Sequence, residues 1–87
     1  MTYQINIVYF SWVKERLGRD QETIVCPASV ETIGDLVVHL KASDSVYQQV
    51  FSDLKKLRFA LDQDFVGLEA SLGDSGELAI FPPVTGG

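Results

Sequence analysis

An apolar run, Leu78-Ala79-Ile80-Phe81, meets two consecutive prolines at 82 and 83, and Val84-Thr85-Gly86-Gly87 follow. This junction constrains the fold more than any other stretch. The run alternates and is rich in strand-forming side chains, so it predicts a strand over residues 77–81. Proline lacks the backbone N–H a ladder needs and holds φ near −65°, so the strand must end at Phe81. Beyond it lie six residues that are stiff at the root and have no side chains at the tip. Fully extended they reach ~20 Å. Such a segment fits a narrow channel and carries its terminal carboxylate to the far end. With a pKa of ~3.5 that carboxylate is an anion and a poor electrophile. An ATP-using partner would turn it into an acyl-adenylate open to a sulfur or nitrogen nucleophile. The chain is therefore expected to divide into a body, residues 1–81, and an extended tail, residues 82–87.

Residues 3–10 alternate so that Tyr3, Ile5, Ile7 and Tyr9 share one apolar face, while Val8 and Phe10 lie on the other. They predict a first strand whose odd residues face the core. Ser11 is placed to cap a short helix over residues 12–17, which Gly18 ends. Residues 21–26 read as a second strand with Ile24 and Cys26 inward and Pro27 stopping it.

The strongest helix signal covers residues 32–41. Thr32 is the N-cap, Asp35 stands at the capping-box position, and Ile33, Leu36, Val37 and Leu40 follow the i, i+3, i+4, i+7 rule. A further helix over residues 45–54 is expected to bury Val46, Val50 and Leu54, with Tyr47 and Phe51 beside that stripe. Leu57, Phe59 and Leu61 mark a strand over residues 57–61. Residues 62–64 read as a turn, 65–66 as a short return strand, and 73–76 as a dense turn signal. The order predicts an α+β fold with one main sheet packed on one principal helix.

Parity has a second consequence. If the odd residues of the first strand and Leu78/Ile80 meet the helix, then Phe10 and Phe81 lie on the open sheet face, with Phe65 beside them. Clustered aromatics on an open face mark a partner surface.

Composition narrows the function classes. Eighty-seven residues with 46% hydrophobic content fill one small core. The net charge of −5 disfavours nucleic acid and fits solubility and docking onto a basic protein surface. One cysteine excludes an intrachain disulfide and accords with a reducing, cytoplasmic compartment. The N-terminus has no basic segment followed by a long apolar run, so no signal peptide is expected, and no run is long enough to span a membrane.

Other chemistry-bearing residues have simpler readings. Cys26 reads as a buried strand cysteine, His39 as a solvated flank of the main helix, and Trp12 as packing for the short helix. Asp62/Asp64 and Asp74/Glu77 suit turns better than a metal site, and no metal is expected. No phosphate-binding glycine loop or nucleophile–base pair is present, so ATP is expected on an activating partner and no cofactor on this chain.

The tail string Leu78-Ala79-Ile80-Phe81-Pro82-Pro83-Val84-Thr85-Gly86-Gly87, the helix over residues 32–40, Val8-Tyr9-Phe10-Ser11-Trp12-Val13-Lys14-Glu15-Arg16-Leu17-Gly18 and Phe59-Ala60-Leu61-Asp62-Gln63 together resemble the small subunit of molybdopterin synthase. The resemblance implies a β-grasp, ubiquitin-like fold, with a mixed sheet on one main helix. It implies that a ubiquitin-activating-like adenylyltransferase adenylates Gly87 with ATP and that sulfur transfer then gives a thiocarboxylate. It also implies a tail, Phe81 to Gly86, that enters the large synthase subunit, where the sulfur goes to cyclic pyranopterin monophosphate to form the molybdopterin dithiolene. Two such carriers serve two large subunits in a heterotetramer, and the catalytic residues lie on the large subunit. The sequence departs from the family pattern at Lys14, where Arg is common, at Asp62, where Asn is common, and at Ser75-Gly76-Glu77, where Gly-Asp-Glu is frequent. The related carrier of thiamine synthesis and a ubiquitin-like protein modifier, which forms an isopeptide bond through its last glycine, are the alternatives of the same build.

Overall fold

The computed structural model describes residues 2–73 and 76–83. Its five strands are β1 (Thr2–Tyr9), β2 (Gln21–Pro27), β3 (Arg58–Leu61), β4 (Asp64–Val66) and β5 (Glu77–Phe81). They form one sheet in the order β2-β1-β5-β3-β4. The central pair β1·β5 is parallel and the other pairs are antiparallel, which makes the sheet mixed. The helices are α1 (Ser11–Leu17), α2 (Ile33–Ser43) and α3 (Ser45–Val50), and a single 3₁₀ turn covers Leu54–Lys56. The architecture is the expected α+β, β-grasp fold.

Parity organises the core as predicted. Ile5, Ile7 and Tyr9 of β1, Phe59 and Leu61 of β3, and Leu78 and Ile80 of β5 are all buried in one cluster with Ile33, Leu36, Val37 and Leu40 of α2. The start of α2 is fixed by a complete capping box. The Thr32 hydroxyl accepts from Asp35 N at 3.1 Å and the Asp35 carboxylate accepts from Thr32 N at 3.2 Å. A second bond to that carboxylate, from Glu31 N at 3.0 Å, lets the shorter acid serve where Glu is usual.

Three local expectations are corrected. Ser11 does not cap α1: it is the first helical residue, with φ of 56°, and Phe10 occupies the cap position without any side-chain bond. The helix after Asp44 stops at Val50, so the stripe expected through Val46 and Leu54 does not form. Tyr47, Val50 and Phe51 are the buried residues, and Val46 and Leu54 only pack against the core edge. The turn after β3 is also tighter than expected. Asp62 and Gln63 alone make it, with φ of 47° and 77°, and Asp64 already belongs to β4. Two left-handed residues in a two-residue hairpin match the twist of the flanking strands.

Asp62 has a further task. Its Oδ1 accepts from Gly76 N at 3.2 Å and Glu77 N at 3.1 Å, which ties the hairpin to the start of β5. An Asn would present the same acceptor oxygen, so the departure noted at this position leaves the tie intact.

Candidate functional site: the root of the tail

The site is built where β5 ends. β5 lies between β1 and β3, with Tyr9 opposite Ile80 and Arg58 opposite Phe81. Backbone bonding extends one residue past β1, since Phe10 N donates to Ile80 O at 3.2 Å. The tail thus leaves from the middle of the sheet, held on both sides, at the place where two prolines forbid further pairing.

The open face at this point carries the residues that parity placed there. Val8, Ala79, Ala60 and Phe65 form one cross-strand row over β1, β5, β3 and β4. Ala60 is buried although it is not part of the main core, and Phe65 is 80% exposed. The Phe65 and Phe81 rings meet at 5.7 Å between centroids, tilted by 49°. With Arg58 and Pro83 they line a hollow of about 430 Å³. Pro82 and Pro83 are half-buried. Phe10 is 48% exposed and stands across β5 from this hollow, so it flanks the tail root without joining the Phe65/Phe81 pair. Of the expected site residues the fold therefore gathers Phe65, Phe81 and Pro83, with Phe10 and Pro82 beside them. Val84, Thr85, Gly86 and Gly87, on which the expected tail chemistry rests, lie outside the described residues.

Sequence reasoning missed Arg58. Parity was the available signal, because Leu57, Phe59 and Leu61 facing inward leave Arg58 outward, and the antiparallel register then sets it opposite Phe81. Its Nη1 donates to Leu57 O at 2.8 Å and Lys55 O at 3.1 Å, which folds the guanidinium back toward the 3₁₀ turn.

A polar cluster stiffens the same end of the sheet from the core side. Glu22 sits on β2 opposite Ile7. Its Oε2 accepts from Tyr9 OH at 2.5 Å and Tyr47 OH at 2.6 Å, and its Oε1 pairs with Arg19 at 2.9 Å. Burial alone would raise the Glu22 pKa, but the bonds from Tyr47, Tyr9 and Arg19 outweigh it and hold the carboxyl below its usual range. The tyrosines respond in the opposite sense: burial and the bond to Glu22 push Tyr47 up to about 12 and raise Tyr9 further. With Tyr9 N donating to Asp20 O at 2.9 Å, the last residue of β1 is fixed through backbone and side chain beside the tail root.

The other residues singled out earlier take the simpler roles. Cys26 is buried, and burial raises its thiol pKa. Trp12 packs partly buried against the core. His39, expected to be solvated, is instead half-buried on the flank of α2. Among the described residues no cluster of His, Cys, Asp or Glu is arranged to hold a metal, and no helix is long and apolar enough to cross a membrane.

Comparison with known proteins agrees with this geometry. The sequence profile of the ThiS family matches residues 7–87, the body and the tail together. The chain belongs to the ThiS family. Within reach of that match are curated relatives named molybdopterin synthase sulfur carrier subunit. The one from Dictyostelium discoideum is 33% identical over the whole of both chains. The one from Escherichia coli K12 is 34% identical over 95% of this chain and 99% of the relative. Among solved structures, SAMP1 from Haloferax volcanii superposes with a TM-score of 0.76 over 98% of this chain and 100% of that one, at 20% identity. The small archaeal modifier protein 1 from Methanosarcina acetivorans gives 0.71 over 100% and 99%, at 22% identity. At those identities the structural likeness speaks for the ubiquitin-like β-grasp fold.

Proposed function

We propose that this ThiS-family chain is the sulfur carrier subunit of molybdopterin synthase and acts through Gly87. The single observation carrying the reading is the full-length similarity to relatives of that name, which extends through the Pro-Pro-Val-Thr-Gly-Gly tail. The geometry at the tail root supports it: the tail's origin is clamped between two strands, and the open aromatic face beside it offers a seat for a second protein.

In this reading the Gly87 carboxylate attacks the α-phosphorus of ATP on a ubiquitin-activating-like adenylyltransferase. Pyrophosphate leaves and an acyl-adenylate forms. A hydrosulfide ion then attacks the acyl carbon, AMP leaves, and the product is a C-terminal thiocarboxylate. The loaded tail enters the large subunit of the synthase heterotetramer, where its sulfur passes to cyclic pyranopterin monophosphate on the way to the dithiolene. This chain contributes position and length. Phe81 and Pro82-Pro83 hold the tail's direction, the side-chain-free tip fits a narrow site, and the ~20 Å reach spans to a buried reaction centre.

Incubation with the adenylyltransferase, ATP and a sulfur donor, followed by intact mass measurement, tests the reading. One sulfur-for-oxygen exchange at Gly87 is expected. An unchanged mass, or isopeptide conjugates on other proteins in its place, would overturn it; the conjugates would mark the chain as a protein modifier.

A further inference from the structure

The formal charges on this acidic chain are strongly divided. Residues 11–17 and 53–58 carry Lys14, Arg16, Lys55, Lys56 and Arg58, five of the seven cations, but only Glu15 and Asp53 of the twelve acids. This portion is therefore net +3 while the remainder is −8. The fold makes the division spatial. α1 begins directly after Phe10, whose backbone is bonded to Ile80, and the 3₁₀ turn leads into Arg58, opposite Phe81. The cationic segments thus stand on the two sides of the tail root. Asp62 in the hairpin turn, Asp64 at the start of β4 and Glu77 at the start of β5 lie at the opposite end of the sheet.

The two cationic segments also meet. Arg16 and Lys56 face one hollow of about 200 Å³, with Trp12, Gln49 and Ser52 on its walls. Both cations are exposed. The acid in that hollow, Asp53, is turned to a local task, its Oδ1 accepting from Lys55 N at 3.1 Å. Among the described residues the one ion pair is Arg19–Glu22, so neither Arg16 nor Lys56 is held in an ion pair, and the hollow's lining carries two cations against one acid.

We infer that this cationic collar is a docking surface for an acidic rim on the protein that receives the tail, with a partner carboxylate seated in the hollow between Arg16 and Lys56. Net charge alone pointed to a basic partner. The distribution reverses that expectation at the one place where the tail must enter another protein. A molecule of net charge −5 approaching an acidic rim is repelled at long range in most orientations and attracted only collar first. The division of charge therefore orients the encounter so that the tail leads. This inference rests on the tail-carrier reading for the identity of the partner, but the collar's preference for carboxylates does not.

The test has two arms, both on the full chain. In the first, amide and indole NMR signals are followed while a hexaglutamate peptide is added. Shifts confined to Trp12, Arg16, Ser52 and Lys56 and their neighbours, and lost in the Arg16→Glu/Lys56→Glu double variant, are expected. No shifts, or shifts spread over the surface, would overturn the collar as an acid-binding site. In the second arm, the association rate with the large subunit of molybdopterin synthase is measured against ionic strength. The wild-type rate is expected to fall as salt rises, and the double variant to associate about tenfold or more slowly at low salt with its salt dependence reversed. Lys41→Glu, in the last turn of α2 and not among the residues lining the hollow, makes the same change in net charge as Lys56→Glu and is expected to leave the rate near wild type. Equal effects of Lys41→Glu and Lys56→Glu would overturn the inference. Absence of wild-type binding to the large subunit, with hexaglutamate shifts as expected, would overturn the carrier reading and leave the collar standing.

Discussion

Leu78 and Ile80 point to one side of β5 and are fully buried with α2, whereas Ala79 and Phe81 point to the other side and remain half-exposed. All four residues are apolar and they alternate along one strand. What separates them is the layer each side faces. One side has a helix to bury against, and the other has only a row of small residues, two tilted phenylalanine rings and an arginine. The first side secures the fold. The second leaves apolar area free for another protein, as an association surface requires.

The sharpest way to break this contrast is Ile80→Ala. It empties a fully buried site, so folding stability should drop by ~2–5 kcal/mol in chemical denaturation. Phe81→Ala should have the reverse profile: a small stability loss and ~2 kcal/mol or more lost in binding the large subunit, about 30-fold by calorimetric titration. Wild-type binding together with a melting temperature as low as that of Ile80→Ala would make Phe81 a core residue and erase the distinction between the faces.

Glu22 tests how far the tail root depends on the polar cluster on the core side. Glu22→Gln loses the charge-assisted bonds and should cost ~1–2 kcal/mol at neutral pH. The folded carboxyl pKa is lower than the unfolded value of ~4.3, so this stabilisation is present above that value and is lost as pH falls through the folded pKa. The gap between wild type and Glu22→Gln should therefore close below about pH 4 in thermal melts. Tyr9 and Tyr47 have raised values, so their contribution is full below pH ~10 and declines above it. The smallest effect expected is at the hairpin. Gln63→Gly relieves a left-handed residue far from the tail and should stabilise by ~0.5–1 kcal/mol with no change in partner binding.

The two faces also differ in how legible they were. The buried one follows from side-chain period alone: the alternation of β1 and β5 and the spacing of Ile33, Leu36, Val37 and Leu40 identified core residues and the α2 cap without any tertiary information. The stripe through Val46 and Leu54 failed because α3 has only six residues, too few for helical spacing to reach Leu54, and the two aromatics fill the volume instead. The cap assigned to Ser11 failed because the sheet still holds the Phe10 backbone, so the chain must turn sharply at Ser11 to start α1. On the open face, parity placed Phe10 and Phe81, with Phe65 expected beside them, but the position of Arg58 opposite Phe81 and the meeting of Arg16 with Lys56 depend on strand order and on α1 lying beside the 3₁₀ turn. Arg58 and Phe81 are over twenty residues apart, Arg16 and Lys56 forty, and no local pattern encodes that they meet.

Gly87 decides the central claim. Removing it, or adding one residue after it, displaces the reacting carboxylate by one residue, ~3.5 Å, while leaving β5, the prolines and the core untouched. In a reconstituted assay with the adenylyltransferase, ATP, a sulfur donor, the large subunit and cyclic pyranopterin monophosphate, both variants should melt like wild type and form no molybdopterin. Molybdopterin formation at the wild-type rate by either variant would contradict the account.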